Sequence, residues 1–184
     1  MRSVTAEPPD ALEAEVRRFQ AGDPEALAGL ADRLGPSLAR FLGHLVPDAA
    51  QAQDLLQNLW LKAWTHREAL QDPAKFRSWL YRIAHREFLM HLRGKAGAAQ
   101  EEEMDAFPGG GESPADVLVR EEDAGRMMEA FHALPPFQKE VVWLSVVEGL
   151  SHAQIARILD VPEGTCRSRL YNGLARMKKD LGTP

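Results

Sequence analysis

Apolar residues recur along this chain at intervals of three and four, and no run alternates apolar and polar positions long enough to predict a strand. The pattern predicts an all-α protein. Leu12, Val16 and Phe19 form the first stripe, behind Asp10 and Glu13 at the spacing of an N-terminal capping box. Asp23-Pro24 opens a second helix carried by Leu27, Leu30 and Leu34, and Gly35-Pro36 is expected to interrupt it before Leu38, Phe41, Leu42 and Leu45. A third begins near Asp48 with a wide stripe of Ala52, Leu55, Leu56, Leu59, Trp60, Ala63 and Trp64, of which Trp60 is expected in the core. Asp72-Pro73 starts a fourth, with Phe76, Trp79, Leu80, Ile83 and Ala84, ending near Gly94.

There the periodicity stops. Gly94, Gly97, Gly109, Gly110, Gly111 and Pro108, with the run Glu101-Glu102-Glu103, predict a flexible acidic linker. Ser113-Pro114 with Asp116 restarts helix, and two more helices follow. The expected organisation is a helical domain over 12–95, the linker over 96–113 and a second helical domain over 114–184. The net charge of −5 is unevenly spread: residues 1–96 carry 13 Lys+Arg against 12 Asp+Glu, residues 97–125 carry 1 against 9, and residues 126–184 carry 8 against 6. Both domains are slightly basic, so the acidic total is no argument against a nucleic-acid partner.

The most informative stretch is Glu148 to Leu170. Ser151 and Gln154 have capping-box spacing, Ala156 is small where two helices would cross, Asp160 tolerates the left-handed backbone of a tight turn, and Val161 closes the turn's core side. These features together predict a helix-turn-helix. On a wheel of the next helix, Cys166, Leu170, Leu174, Met177 and Leu181 form the core face. Thr165, Ser168, Asn172 and Lys179 lie opposite, with Arg167, Tyr171 and Lys178 on one flank and Arg169 and Arg176 on the other. Short polar groups between cations suit a helix in the major groove, central residues reading base edges and flanking ones holding phosphates, and on its first two turns Arg167, Ser168 and Tyr171 are expected to read sequence while Arg176, further along, holds only the backbone. An ordinary amphipathic surface helix would have basic flanks too; agreement of cap, turn and face favours DNA.

Leu134-Pro135, Glu140-Val141, Glu148 to Ser151, Ile155-Ala156 and Val161 to Thr165 resemble region 4 of sigma factors. The output domain of LuxR-type regulators carries a related motif, so the N-terminal half discriminates. Gln53 to Trp64 resembles region 2.2, and Phe76 to Ala84 region 2.3, of extracytoplasmic-function sigma factors. The resemblance implies a factor that directs RNA polymerase to the promoters of a stress- or signal-responsive gene set. It implies that Asp54, Gln57, Asn58, Leu61 and Trp64 dock the β′ clamp, that Trp79, Arg82, His85, Arg86 and Arg93 meet the minus-10 element, and that Thr165, Arg167, Ser168, Arg169, Tyr171, Asn172 and Arg176 meet the minus-35 element. The implied partners are core RNA polymerase, through its β′ clamp and β flap, promoter DNA and an anti-sigma factor. Asn58, Arg86 and Met90 depart from the family pattern, and Arg86 adds a cation where hydrogen-bonded readout is usual.

Nothing in the sequence points to an enzyme or a cofactor, and no phosphate-binding glycine loop follows a strand. His85 and His91 are six residues apart, about 240° around a helix, and cannot share a metal ion. The single cysteine, Cys166, falls on a core face and is expected to be a buried structural thiol. With no apolar run of about 18 residues, a cytosolic protein without membrane insertion is expected. The alternatives are a free-standing helix-turn-helix regulator of the LuxR type and a helical interaction adaptor.

Overall fold

The computed structural model describes residues 9–96 and 121–182 and contains no strand among them, so the all-α expectation holds. These residues fall into two compact units, one within Met1–Ala98 and one within Ala99–Pro184. The expected linker and the helix restart at Ser113-Pro114 lie outside the described residues, apart from Ala96. No described helix is long and apolar enough to cross a membrane.

The first unit comprises α1 (Pro9–Gln20), α2 (Pro24–Leu45), α3 (Ala49–Thr65) and α4 (Phe76–Ala96). Helix α1 starts two residues earlier than the capping pattern predicts, with Pro9 leading the first turn. Asp10 therefore lies inside the helix, and Glu13 pairs with Arg17. The other starts are capped as their sequences imply. The Asp23 carboxylate accepts from the Glu25 N–H at 2.9 Å and that of Asp48 from the Ala50 N–H at 2.9 Å. Asp72 accepts from Ala74 at the head of the 3₁₀ turn Pro73–Lys75, which runs into α4.

Helix α2 is continuous through Pro36, contrary to the expected interruption. Leu30, Leu34, Leu38, Phe41 and Leu42 are all buried on its inner side, and burying each is worth roughly 1.5–3 kcal/mol. Together they outweigh the roughly 3 kcal/mol penalty of an internal proline. Pro36 and Asp32, whose carbonyl loses its N–H partner, are both exposed, so water can satisfy that oxygen. Aromatic edges close the core, with Phe19 against Phe76 at 5.4 Å and Phe41 against Tyr81 at 5.1 Å between centroids. Trp60, expected in the core, is half-buried.

The second unit contains α5 (Glu121–His132), α6 (Pro136–Val142), α7 (His152–Leu159) and α8 (Glu163–Asp180). Among the described residues this is one helix more than the apolar pattern predicts, because Pro135-Pro136 separates α5 from α6. Helix α6 continues into a π-helical turn, Trp143–Val147, in which the Glu148 N–H donates to the Trp143 carbonyl at 3.2 Å. Helix α8 packs on α5, α6 and α7. It lies close to α6 at Gly173, where a Cβ would stand 2.9 Å from Val142 Cγ2.

Candidate nucleic-acid interface

The helix-turn-helix forms as its residues predict. The Ser151 hydroxyl accepts from the Gln154 N–H and the Gln154 side chain accepts from the Ser151 N–H at 2.9 Å, completing the capping box of α7. Asp160 ends α7 with φ 54° and ψ 46°, the left-handed conformation that an Asp accommodates at low cost. The Val161 N–H then donates to the Ala156 carbonyl at 3.2 Å, turning the chain into α8 at Pro162. Ala156 is half-buried, and a close helix–helix contact in this unit falls instead at Gly173, whose role the spacing alone did not reveal.

Helix α8 buries Cys166, Leu170, Gly173 and Met177, while Leu174 and Leu181 are half-buried at the edge of the same face. Burial pushes the Cys166 thiol up, against the smaller opposing pull of the Arg169 charge. Arg167, Tyr171, Arg176, Lys178 and Lys179 are exposed, and Thr165, Ser168 and Asn172 are half-buried. The two N-terminal cations have partners. Arg169 stacks its guanidinium 5.0 Å from the centroid of the Phe137 ring, and Arg167 donates to Glu163 one turn before it at 3.1 Å. Glu163 thus shares the flank of Arg167 and Tyr171, a neighbour found from its spacing of four only once the recognition helix is oriented.

The two remaining groups of candidate residues lie in the first unit. On α4, Arg82, Arg86 and Arg93 are exposed and fall within about 40° of one another around the helix, at 100° per residue, and the exposed Lys75 of the 3₁₀ turn that leads into α4 precedes them, forming a line of cations. Lys75 was missed as a candidate; its seven-residue spacing from Arg82 is the signal. Trp79 and His85 point inward instead, 7% and 4% exposed, with Trp79 packed 5.9 Å from Phe76. Helix α4 packs on both α2 and α3, so its buried arc is wide enough to take in both edges.

On α3, Asp54, Gln57, Asn58 and Leu61 are exposed at i, i+3, i+4 and i+7, one face of the helix, and Leu61 is 64% exposed. Trp64 is half-buried against Phe19 and carries the Arg67 guanidinium 4.7 Å from its centroid. Lys62 reaches across to the buried Glu87 of α4 and to Met90 Sδ, so an ion pair ties this helix to the one bearing the cationic line.

Two family models match the two units: sigma-70 region 2 over residues 30–97 and sigma-70 region 4 over residues 124–177. The chain is 30% identical to the RNA polymerase sigma-H factor of Pseudomonas aeruginosa, covering 90% of this chain and 91% of that one. It is 28% identical to the ECF RNA polymerase sigma-E factor of Escherichia coli K12, over 85% and 86% of the two chains. With the ECF factor SigW of Bacillus subtilis it shares 24% identity over 92% and 96%. Among solved structures, CnrH in complex with the cytosolic domain of CnrY superposes with a TM-score of 0.66 at 20% identity, covering 94% of this chain and 97% of that one. RpoE of Bartonella quintana, solved with the anti-sigma factor NepR, gives 0.65 at 22%, covering 85% and 96%. Both share the fold. With region 2 matched in its first unit, region 4 in its second and a 30% identical relative along nearly its whole length, the chain belongs to the extracytoplasmic-function sigma factors of the sigma-70 family.

Proposed function

We propose that this sigma factor divides its labour among three surfaces. The α3 face of Asp54, Gln57, Asn58 and Leu61, edged by Trp64, docks the β′ clamp of core RNA polymerase, and the second unit meets the β flap. The cationic line of α4 holds the backbone of the minus-10 strand, with Arg82, Arg86 and Arg93 as direct contacts, while the buried Trp79 and His85 support the helix from beneath. Helix α8 lies in the major groove of the minus-35 element, where Arg167, Ser168 and Tyr171 read bases. Thr165 and Asn172 line the groove, and Arg169 and Arg176 hold phosphates.

One observation carries this reading over a free-standing regulator. The chain presents, on a unit separate from the helix-turn-helix, a helix face on which a 64% exposed leucine stands among uncharged polar groups and one acid. DNA binding alone has no use for such a face, whereas an apolar centre with a polar rim suits a protein partner. An anti-sigma factor is a second proposed partner. The factor acts in the cytoplasm, and the chemistry of transcription belongs to the polymerase.

The test is capture of purified core RNA polymerase by the full chain, wild type and Leu61→Glu, with melting curves for both. Loss of capture at an unchanged melting temperature supports the reading. Tight, specific promoter binding by the pure protein, or full capture by Leu61→Glu, overturns it.

A further inference from the structure

Glu163 is an acid at the mouth of a helix otherwise armed with cations. It is the first residue of α8, its carboxylate accepts from Arg167 Nη2 at 3.1 Å, and both side chains remain about half exposed, at 49% and 55%. Within Val161-Pro162-Glu163-Gly164-Thr165 it occupies the position that the resemblance to region 4 leaves open. It follows the 3.6-residue periodicity into line with Arg167 and Tyr171, the flank assigned above to base reading.

A carboxylate here has an electrostatic cost, since it enters the groove between two rows of phosphates. A duplex offers few groups that compensate. On the major-groove edge, guanine N7 and O6 and thymine O4 are acceptors that repel a carboxylate, and the amino hydrogens of cytosine N4 and adenine N6 are the donors it can use. Cytosine is the better match, because adenine sets its N7 acceptor beside the amino group whereas cytosine offers only the N4 donor on that edge. The ion pair leaves both partners equipped: Glu163 keeps Oε2 as an acceptor, and Arg167 keeps the rest of its five N–H donors, including a neighbouring pair that can meet guanine. The pair also fixes the Arg167 side chain before DNA arrives, which reduces the entropy lost on binding.

We propose that Glu163 is a specificity-determining residue of the minus-35 contact, accepting from the N4 amino group of a cytosine while its partner Arg167 donates to a guanine at or next to the same base pair. The proposal rests on the assignment of α8 to the minus-35 groove. It makes the acid a selector against thymine and guanine at one position, and it assigns Glu163 and Arg167 to one composite reading unit.

The experiment is transcription from a promoter library randomised in the minus-35 element, by core RNA polymerase loaded with full-length wild type, Glu163→Gln, Glu163→Ala or Arg167→Ala. Melting curves of the four proteins run alongside. Losing one base contact is expected to reduce discrimination at a single cytosine-preferring position by roughly 5- to 150-fold in Glu163→Ala, with a smaller loss at the guanine that Arg167 reads and preference elsewhere unchanged. Glu163→Gln, which can donate as well as accept, should admit thymine or adenine there. If both Glu163 variants instead raise transcription on every sequence alike, the acid is only a repulsive charge and the proposal is wrong. A changed preference in Glu163→Ala beyond the adjoining positions of this pair, with an unchanged melting temperature, would also overturn it, since the two side chains reach no further. Should Arg167→Ala leave all preferences intact, or the wild type show no minus-35 preference, the assignment of α8 to the groove fails and takes this proposal with it.

Discussion

The recognition helix makes a close approach to α6 at Gly173, and a single methyl group tests it. A Cβ on Gly173 would stand 2.9 Å from Val142 Cγ2, 3.6 Å from Gln138 Cβ and 3.7 Å from Leu134 Cδ1. Carbon atoms pack at about 3.5–4.0 Å, so the first contact is a clash and the others are ordinary. Val142 is only 4% exposed and β-branched, with one preferred rotamer in a helix, so it cannot swing aside. Replacing a helical glycine with alanine is by itself worth about 1 kcal/mol of stability, whereas overpacking a core costs about 1–3 kcal/mol. Gly173→Ala is therefore expected to be neutral to about 2 kcal/mol destabilising. Gly125→Ala in α5, which has nothing within 4 Å of its Cβ, should stabilise by up to about 1 kcal/mol. The decisive quantity is the coupling with Val142→Ala, which makes room for the new methyl and should return about 1–3 kcal/mol in the double mutant relative to the sum of the singles. Urea titrations followed by amide resonances of the second unit measure the wild type and the four variants. Additivity within about 0.5 kcal/mol, or a Gly173→Ala gain equal to that of Gly125→Ala, would refute the packing argument.

Other consequences follow from the same structure. The carboxylates of Asp23 and Asp72 are held below their ordinary range, first by hydrogen bonds from Arg18 and Lys75 and then by backbone N–H groups of the helix ends that they cap. Their contribution to stability is present above the ordinary carboxylate pKa of about 3.9 and is lost as the pH falls through the lower folded value. In Asp23→Asn/Asp72→Asn, which caps without titrating, the melting temperature of the first unit should change less between pH 6 and pH 3 than in wild type; an identical acid limb would contradict this. Cys166 is fully buried and its thiol is pushed up, so maleimide labelling at pH 8 should be slow in the native protein and fast in urea, and rapid native labelling would disprove the burial. Pro36→Ala restores an N–H to the middle of α2 at an exposed position. It should raise the stability of the first unit by about 1–3 kcal/mol in the same urea assay, and a loss would mean that the proline sets a bend that the core requires.

The features readable from the sequence are those whose causes span fewer than about five residues. The Ser151–Gln154 capping box, the left-handed Asp160 and the caps at Asp23, Asp48 and Asp72 are local hydrogen-bond or backbone preferences, and each forms where its residues predict, whereas the Asp10 cap does not. The inward face of α8 was legible too, since a 3.6-residue period fixes which side chains share a side once the helix exists. What the chain could not disclose is how wide a face each neighbour covers. Trp79 and His85 sit on the flanks of α4 and are buried only because α2 and α3 close on both sides of it, whereas Trp60, at the edge of an equally apolar stripe, stays half-buried. Helix α2 runs through Pro36 because several long-range contacts outweigh one local penalty, a balance that no local rule contains. The partner of Glu87 lies 25 residues away on α3, and the crossing at Gly173 depends on Val142 of α6, so both came from tertiary packing alone. Local chemistry thus determined which elements form and which residues could touch DNA, and the packing of helix against helix decided which of those residues face the solvent and are free to do so.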